Sequence, residues 1–228
     1  MEEQLHFACV NSIYVKKLLK TLFKNNYELN WKLIPKQYEV TVVLNAYDTE
    51  PYRNELIKKL DKYYYASNTN DNLCQYVVKF LIRNKKTITA AESLTAGAFQ
   101  SIVADVSGAS SIFPGGFVTY SKEAKHKLLD IPMDIMNDYG VVSKCTAIYM
   151  AKRSLEIMNT DFGLGFTGVA GPEGLENKPV GTVWIGISDR NKKSLAFSYH
   201  FTGDRQEIRY KSVLQGFLIL INKIKGLI

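Results

Sequence analysis

The chain has 228 residues, enough for one large domain or for a domain of roughly 140 residues beside a smaller one. Lys and Arg number 29 against 22 Asp and Glu, a formal charge of +7 spread along the chain rather than gathered in one tract. Charge alone therefore does not separate a nucleic acid from an anionic small molecule as partner. No apolar run approaches the roughly 20 residues needed to cross a bilayer, and the start MEEQLHFACV lacks a basic stretch leading into an apolar core. A cytoplasmic protein without a membrane partner is expected.

In chain order, Leu18, Leu19, Leu22 and Phe23 form a helical stripe, and residues 37–46, QYEVTVVLNA, read as a strand of β-branched residues. Leu56, Ile57 and Leu60 resume helical spacing, and the polar run SNTNDN at 67–72 marks the boundary between a small first α/β region and a larger second one. An amphipathic helix follows over 73–84 and a short strand over 86–90. A helical pattern then runs through AESLTAGAFQSIVADV on Thr95, Phe99, Ile102, Val103 and Val106. A strand is expected near 117–120, a helix over 141–158 capped by Ser143, strands near FGLGFT, TVWIGIS and SLAFSYHF, and a last helix from Asp204. Alternating strands and helices with several β-rich runs predict a layered α/β domain with a mixed sheet.

Four segments could carry chemistry. AESLTAG at 91–97 passes from strand to helix, where free N–H groups and the positive end of a helix would lie near Ser93; a helix cap and a catalytic serine both fit. In GGFVTYSKEAK at 115–125, Tyr120 ends a strand and Lys125 enters the next helix, where burial would favour a neutral amine able to take a proton; KEAKHK also fits a solvated face. TGVAGPEGLENKPVG at 167–181 is neither a Walker A loop nor a Rossmann loop, and reads equally as a ligand-approaching loop with Lys178 toward an anion or as a long hairpin connection. In FTGDRQEIR at 201–209, Arg205 sits poorly at a helix start; a ligand phosphate, or a carboxylate such as Glu92, could offset it, and the side chain could equally point into solvent at little cost. Cys9, Cys74 and Cys145 lack CxxC spacing and the three histidines are scattered, so neither a disulfide framework nor a zinc site is legible.

The segments AESLTAG, GASSIFPGGFVTYSKEAK, YGVVS, FTGVAGP, KPVGTVWI and FTGDRQEIR together resemble the C-terminal domain of the CinA family, also known as nicotinamide-nucleotide amidase. The likeness covers roughly residues 74–224, with the motifs in the family's order. It implies a CinA C-terminal amidohydrolase domain over 71–228. FACVNSIYVKKLL, EVTVVLNA and DKYYYA resemble the KH-like middle region of long CinA proteins, implying a small KH-like α/β domain over 1–70. The larger N-terminal domain of such proteins, with its nucleotide-pyrophosphatase activity, is expected to be absent.

The implied reaction, a step of pyridine-nucleotide recycling, converts nicotinamide mononucleotide to nicotinic acid mononucleotide and ammonia, with no metal or redox cofactor. Ser93 matches the family's nucleophile, and Tyr120 and Lys125 match its other catalytic side chains. Thr95 and Arg205 match further site positions, and Glu92, Gly97, Gly168, Gly171 and Lys178 join them as candidate substrate contacts. Leu94 and Ala96 replace the usual cysteine and glycine of the first signature, and GPEGLENKP is one residue shorter than usual. Two other readings are a non-catalytic nucleotide-binding or assembly protein on the same scaffold, and an RNA-associated module motivated by the +7 charge. The first region shows no GXXG loop, so a homo-oligomer without a specific nucleic-acid partner is expected.

Overall fold

Alternation builds the first strand. In β1 (Glu2–Ala8), Leu5 and Phe7 are fully buried beneath the helices of the N-terminal region. Helix α1 (Ser12–Leu22) is capped by Asn11, whose side chain accepts the Ile13 and Tyr14 N–H groups, and it buries Val15 and Leu19, four residues apart. Strand β2 (Asn30–Lys36) lies at a sheet edge, where Pro35 and the lysines are tolerated because one side of the strand needs no partner. It hairpins into β3 (Glu39–Asn45), followed by α2 (Glu50–Leu60) and the four-residue β4 (Tyr64–Ser67).

The computed structural model describes residues 1–24, 26–191 and 193–228. They divide into one unit of Met1–Tyr76 with Phe217–Ile228, and a second of Val77–Gly216. The division expected at residue 70 thus falls after Tyr76, and the last turns of the C-terminal helix belong with the first unit.

The first unit's sheet is antiparallel in the order β2-β3-β1-β4. With two helices in the order βαββαβ, this is the ferredoxin-like split βαβ. β1 and β4, unread in the sequence pattern, supply the centre and one edge of the sheet, and they decide the topology.

Helix α3 (Leu73–Arg83), whose first turn belongs to the first unit, leads to β5 (Ile88–Glu92), whose five residues are all buried. Helix α4 (Ala98–Ala104) starts three residues after Thr95, where the helical spacing begins, leaving 93–97 as a turn. β6 (Phe117–Val118), α5 (Lys122–Leu129), α6 (Met133–Asp138), α7 (Lys144–Met158), β7 (Phe162–Gly168), β8 (Thr182–Asp189), β9 (Ser194–His200) and α8 (Arg205–Ile224) complete the path. Ser143 caps α7 as expected, its Oγ accepting the Thr146 N–H at 3.1 Å.

The five strands run β6-β5-β7-β8-β9, parallel from β6 to β7 and antiparallel from β7 to β9, so the expected mixed sheet is present. Helix α7 lies directly on one face. A Cβ on Gly165 or Gly186 would stand 2.4 or 2.2 Å from the Ala147 carbonyl oxygen, so only glycine permits that approach. On the other face, Phe166 packs against Phe99 of α4 at 5.2 Å between ring centroids. No helix among the described residues is long and apolar enough to cross a membrane.

Candidate active site

The parallel strands β5, β6 and β7 end side by side, the place where open α/β sheets form clefts. Glu92 pairs with Val118 on one side and Phe166 on the other, so the residues that follow these three meet at one rim. The Ser93 N–H bonds the Phe166 carbonyl at 2.9 Å and the Thr119 N–H bonds the Glu92 carbonyl at 2.8 Å, extending the sheet by one residue under the site. Above them lies a cavity of about 370 Å³ lined by Ser93, Tyr120, Lys125, Thr167, Gly171 and Arg205, among others. That volume lies at the small end of the range for small-molecule pockets.

Lys125 is brought in by α5. Ser121 caps this helix through the Ala124 N–H, and Lys125 and Leu129 form its buried face. Leu129 joins an apolar cluster with Ala91, Ile131, Met136 and Met150, which holds the helix against the sheet. The Lys125 side chain is 1% exposed. Its Nζ lies 3.0 Å from Ser93 Oγ and donates to the Thr119 carbonyl at 2.9 Å. Burial pushes its pKa down to about 8, against the upward pull of the Glu176 and Glu123 carboxylates.

Ser93 does not cap a helix. The cap position of α4 is Gly97, in the left-handed region, and the helix start is satisfied by the Glu92 carboxylate. That carboxylate, fully buried, accepts the N–H groups of Gly97, Phe99 and Gln100 and the Gln100 side-chain amide at 3.0–3.2 Å. Glu92 therefore holds the turn from beneath, and neither it nor Gly97 lines the cavity. Thr95 is also fully buried and outside the lining, and its hydroxyl has no hydrogen-bond partner.

Tyr120 is 57% exposed at the rim, and its hydroxyl accepts from Arg205 at 2.7 Å. The other arm of Arg205 donates to the Gly171 carbonyl at 2.7 Å. Asp204 and Glu207 form a reciprocal capping box at the start of α8, which sets Arg205 at the first helical position facing the cavity. Of the partners the sequence left open for Arg205, Glu92 is not the one it meets; it donates to a carbonyl and a phenol. Gly168 and Gly171 line the cavity, whereas Lys178 lines a neighbouring hollow and bonds Glu176 at 3.1 Å.

The loop bearing Lys178 is a hairpin. Leu175 and Lys178 exchange backbone hydrogen bonds across Glu176 and Asn177, both with positive φ, the signature of a type I′ turn. Glu176 accepts the Val141 and Val142 N–H groups at 2.8 and 3.2 Å, which ties the hairpin over the cavity. Sequence reasoning missed Glu176, the Thr119 carbonyl and Arg209. Arg209, one helical turn beyond Arg205 in the same motif, donates to the Leu94 and Thr95 carbonyls at 3.0 and 2.8 Å.

Chemically, the site offers a buried amine able to lose its charge near neutral pH and a serine hydroxyl against it. Among the described residues, no group of three or more His, Cys, Asp or Glu is placed to hold a metal ion.

A family model described as the CinA C-terminal domain matches residues 70–224. A protein of Lactiplantibacillus plantarum named as competence-damage inducible is 47% identical over 194 residues, covering 81% of this chain and 46% of its own length. A like-named relative from Levilactobacillus brevis is 50% identical over 158 residues, covering 69% of this chain and 38% of its own length. The chain thus spans about half or less of the length of these two curated relatives. Among crystal structures, a CinA superfamily protein of Escherichia coli aligns with a TM-score of 0.63 at 30% identity, over 67% of this chain and 90% of its own. The competence/damage inducible protein CihA of Agrobacterium tumefaciens aligns with a TM-score of 0.62 at 29% identity, over 68% and 99% of the two chains. On this footing the chain belongs to the CinA family, through its C-terminal domain.

Proposed function

We propose that the chain hydrolyses the carboxamide of nicotinamide mononucleotide to nicotinic acid mononucleotide and ammonia. The observation that carries the reading is the 3.0 Å contact between Ser93 Oγ and the Nζ of a lysine that burial holds near pKa 8. A solvated lysine would be charged and useless as a base at neutral pH. Here a useful fraction of the amine is neutral, and the Thr119 carbonyl orients it by accepting one of its protons.

In the proposed reaction, Ser93 Oγ–H gives its proton to neutral Lys125 as Oγ attacks the carboxamide carbon. The oxyanion that forms is met by backbone N–H groups of the turn after Ser93. Lys125 returns the proton to the departing nitrogen, ammonia leaves, and a Ser93 ester remains. Lys125 then takes a proton from water, whose oxygen attacks the ester, and the acid is released as Ser93 regains its proton. Tyr120, fixed at the rim by Arg205, has a hydroxyl proton to offer the substrate. Arg205 retains N–H donors beyond those it spends on Tyr120 and Gly171, and with Lys122, which also lines the cavity, it suits the 5′-phosphate.

The test is single-turnover deamidation by folded wild type, Ser93→Ala and Lys125→Arg, with ammonia and acid product both measured. Wild type turns over; neither variant does, because guanidinium stays protonated and cannot act as the base. Wild-type rates in both variants refute the mechanism. Nucleotide binding without turnover by wild type turns the reading to a non-catalytic nucleotide-binding protein.

A further inference from the structure

Two walls of the cavity come from segments far apart in the chain: Val141 and Val142 in the turn ahead of α7, and Pro172, Glu173, Gly174 and Leu175 of the hairpin. Glu176 joins them. Its two carboxylate oxygens accept the Val141 and Val142 N–H groups, one each, at 2.8 and 3.2 Å. A Cβ on Gly140 would stand 2.4 Å from Glu176 Oε2, so the carboxylate lies directly against this turn. The turn is a fixed post, because its carbonyls are tied from behind. Val141 accepts the Thr167 hydroxyl at the end of β7 at 2.6 Å, and Gly140 accepts the Ser143 and Thr146 hydroxyls at the start of α7 at 2.9 and 2.7 Å. The hairpin has no such anchor. Every residue from Pro172 to Asn177 is exposed, and among the described residues no other hydrogen bond joins 172–178 to the rest of the chain.

Resting on the serine–lysine reading above, we infer that Glu176 is a positioning residue: it latches the 172–180 hairpin over the cavity and brings its negative charge within reach of Lys125. The latch acts on binding. A hairpin released from the turn leaves the cavity without one wall for part of the time, and apparent affinity falls by the fraction that stays closed. The charge acts on the base. Burial pushes the Lys125 amine down to about 8, and Glu176 is the stronger of two carboxylates that oppose it, the other being Glu123 on α5 itself. Tyr120, Lys122, Glu173 and Arg205 are the remaining titratable or charged side chains that line the cavity with Lys125. Burial raises the Glu176 carboxyl, but the Val141 and Val142 N–H groups and Lys178 hold it below the usual carboxylate range, so its charge persists wherever Lys125 titrates. Without that charge burial is less opposed, and the amine gives up its proton at lower pH.

The test compares Glu176→Ala, Glu176→Gln and Glu176→Asp with wild type on nicotinamide mononucleotide from about pH 6 to 9, each checked for folding by its thermal midpoint. For the alanine and glutamine variants KM rises about 5- to 30-fold, and the rise of kcat with pH moves its midpoint down by about 0.5. Glu176→Asp keeps the charge but draws it back from the N–H groups, so it shares the higher KM and keeps the wild-type midpoint. Folded alanine or glutamine variants with wild-type KM overturn the inference. So does a higher KM with an unmoved midpoint, since a merely structural latch leaves the base alone. If neither variant folds, Glu176→Asp decides: a higher KM at the wild-type midpoint supports the role, and any other result overturns it. A parallel arm follows the burst of 4-nitrophenolate as 4-nitrophenyl acetate acylates Ser93, a reaction that needs the base but not the nucleotide. Wild type that is acylated without deamidating the nucleotide refutes the substrate assignment alone. The pH midpoint of the burst in Glu176→Gln then settles Glu176: a lower midpoint supports the role, and the wild-type midpoint overturns it. Wild type inert to both compounds overturns both readings.

Discussion

Removing the charge of Lys125 should make the protein more stable while ending the proposed activity. The Lys125 side chain is 1% exposed, and its pKa lies at about 8 instead of the ordinary 10.5. That lowering corresponds to about 3 kcal/mol of preference for the neutral amine in the folded state. The folded value lies below the unfolded one, so between about pH 8 and 10.5 the unfolded chain binds the extra proton and stability climbs with pH. Below pH 8 the folded state bears the full cost of the buried charge. Methionine keeps the unbranched length without the charge, but loses the contacts with Ser93 and Thr119, worth about 1 kcal/mol each. Lys125→Met should therefore be more stable than wild type by about 1–2 kcal/mol at pH 7. By pH 9.5 wild type regains about 2 kcal/mol, and the difference vanishes. Urea unfolding at the two pH values, read from Trp184 in a Trp31→Phe background, isolates the unit that holds Lys125. A variant less stable than wild type at pH 7, or a difference that does not change with pH, refutes the account of a buried amine held short of its charge.

Two more outcomes follow from the turn beneath the site. Ala96, exposed and at φ +51°, occupies a left-handed conformation that costs an L-residue about 1–2 kcal/mol. After about 0.4–1 kcal/mol for the freer unfolded glycine chain, Ala96→Gly should raise stability by about 0.5–1 kcal/mol, a thermal shift of about 1–4 °C; a lower midpoint shows that the strain is absent. Glu92→Gln keeps the size of a side chain that accepts four N–H bonds in full burial, but sets an amide N–H₂ against other donors. A loss of about 2–4 kcal/mol in urea unfolding is expected, and near-wild-type stability removes Glu92 from its structural role.

The sequence by itself determined the local elements with strong periodicity and the chemistry-bearing segments. Apolar spacing located α3, α7 and α8, a β-branched run located β3, and apolar runs between turn formers located β7 and β8, because those residues face one core and repeat at the element's own period. The Ser143 cap was legible because capping is settled within three residues. The segments bearing Ser93, Tyr120, Lys125 and Arg205 were legible as motifs, and the fold gathers all four on one cavity. Only tertiary structure decided what surrounds them. β1 and the four-residue β4 carry too little pattern to be read alone; their pairing with distant strands gives the first unit its split βαβ path. The helical spacing through Thr95 was overridden because Glu92, buried beneath, claims the N–H groups at which α4 begins. Lys178 looked free to meet an anion until the hairpin turned it to Glu176. Spacing along the chain likewise held no sign that Lys125 would be buried or that Arg209 would reach back 114 and 115 residues to two carbonyls. Burial, pKa and long-range hydrogen bonds depend on which atoms the fold packs together, and these contacts join residues far apart in the chain.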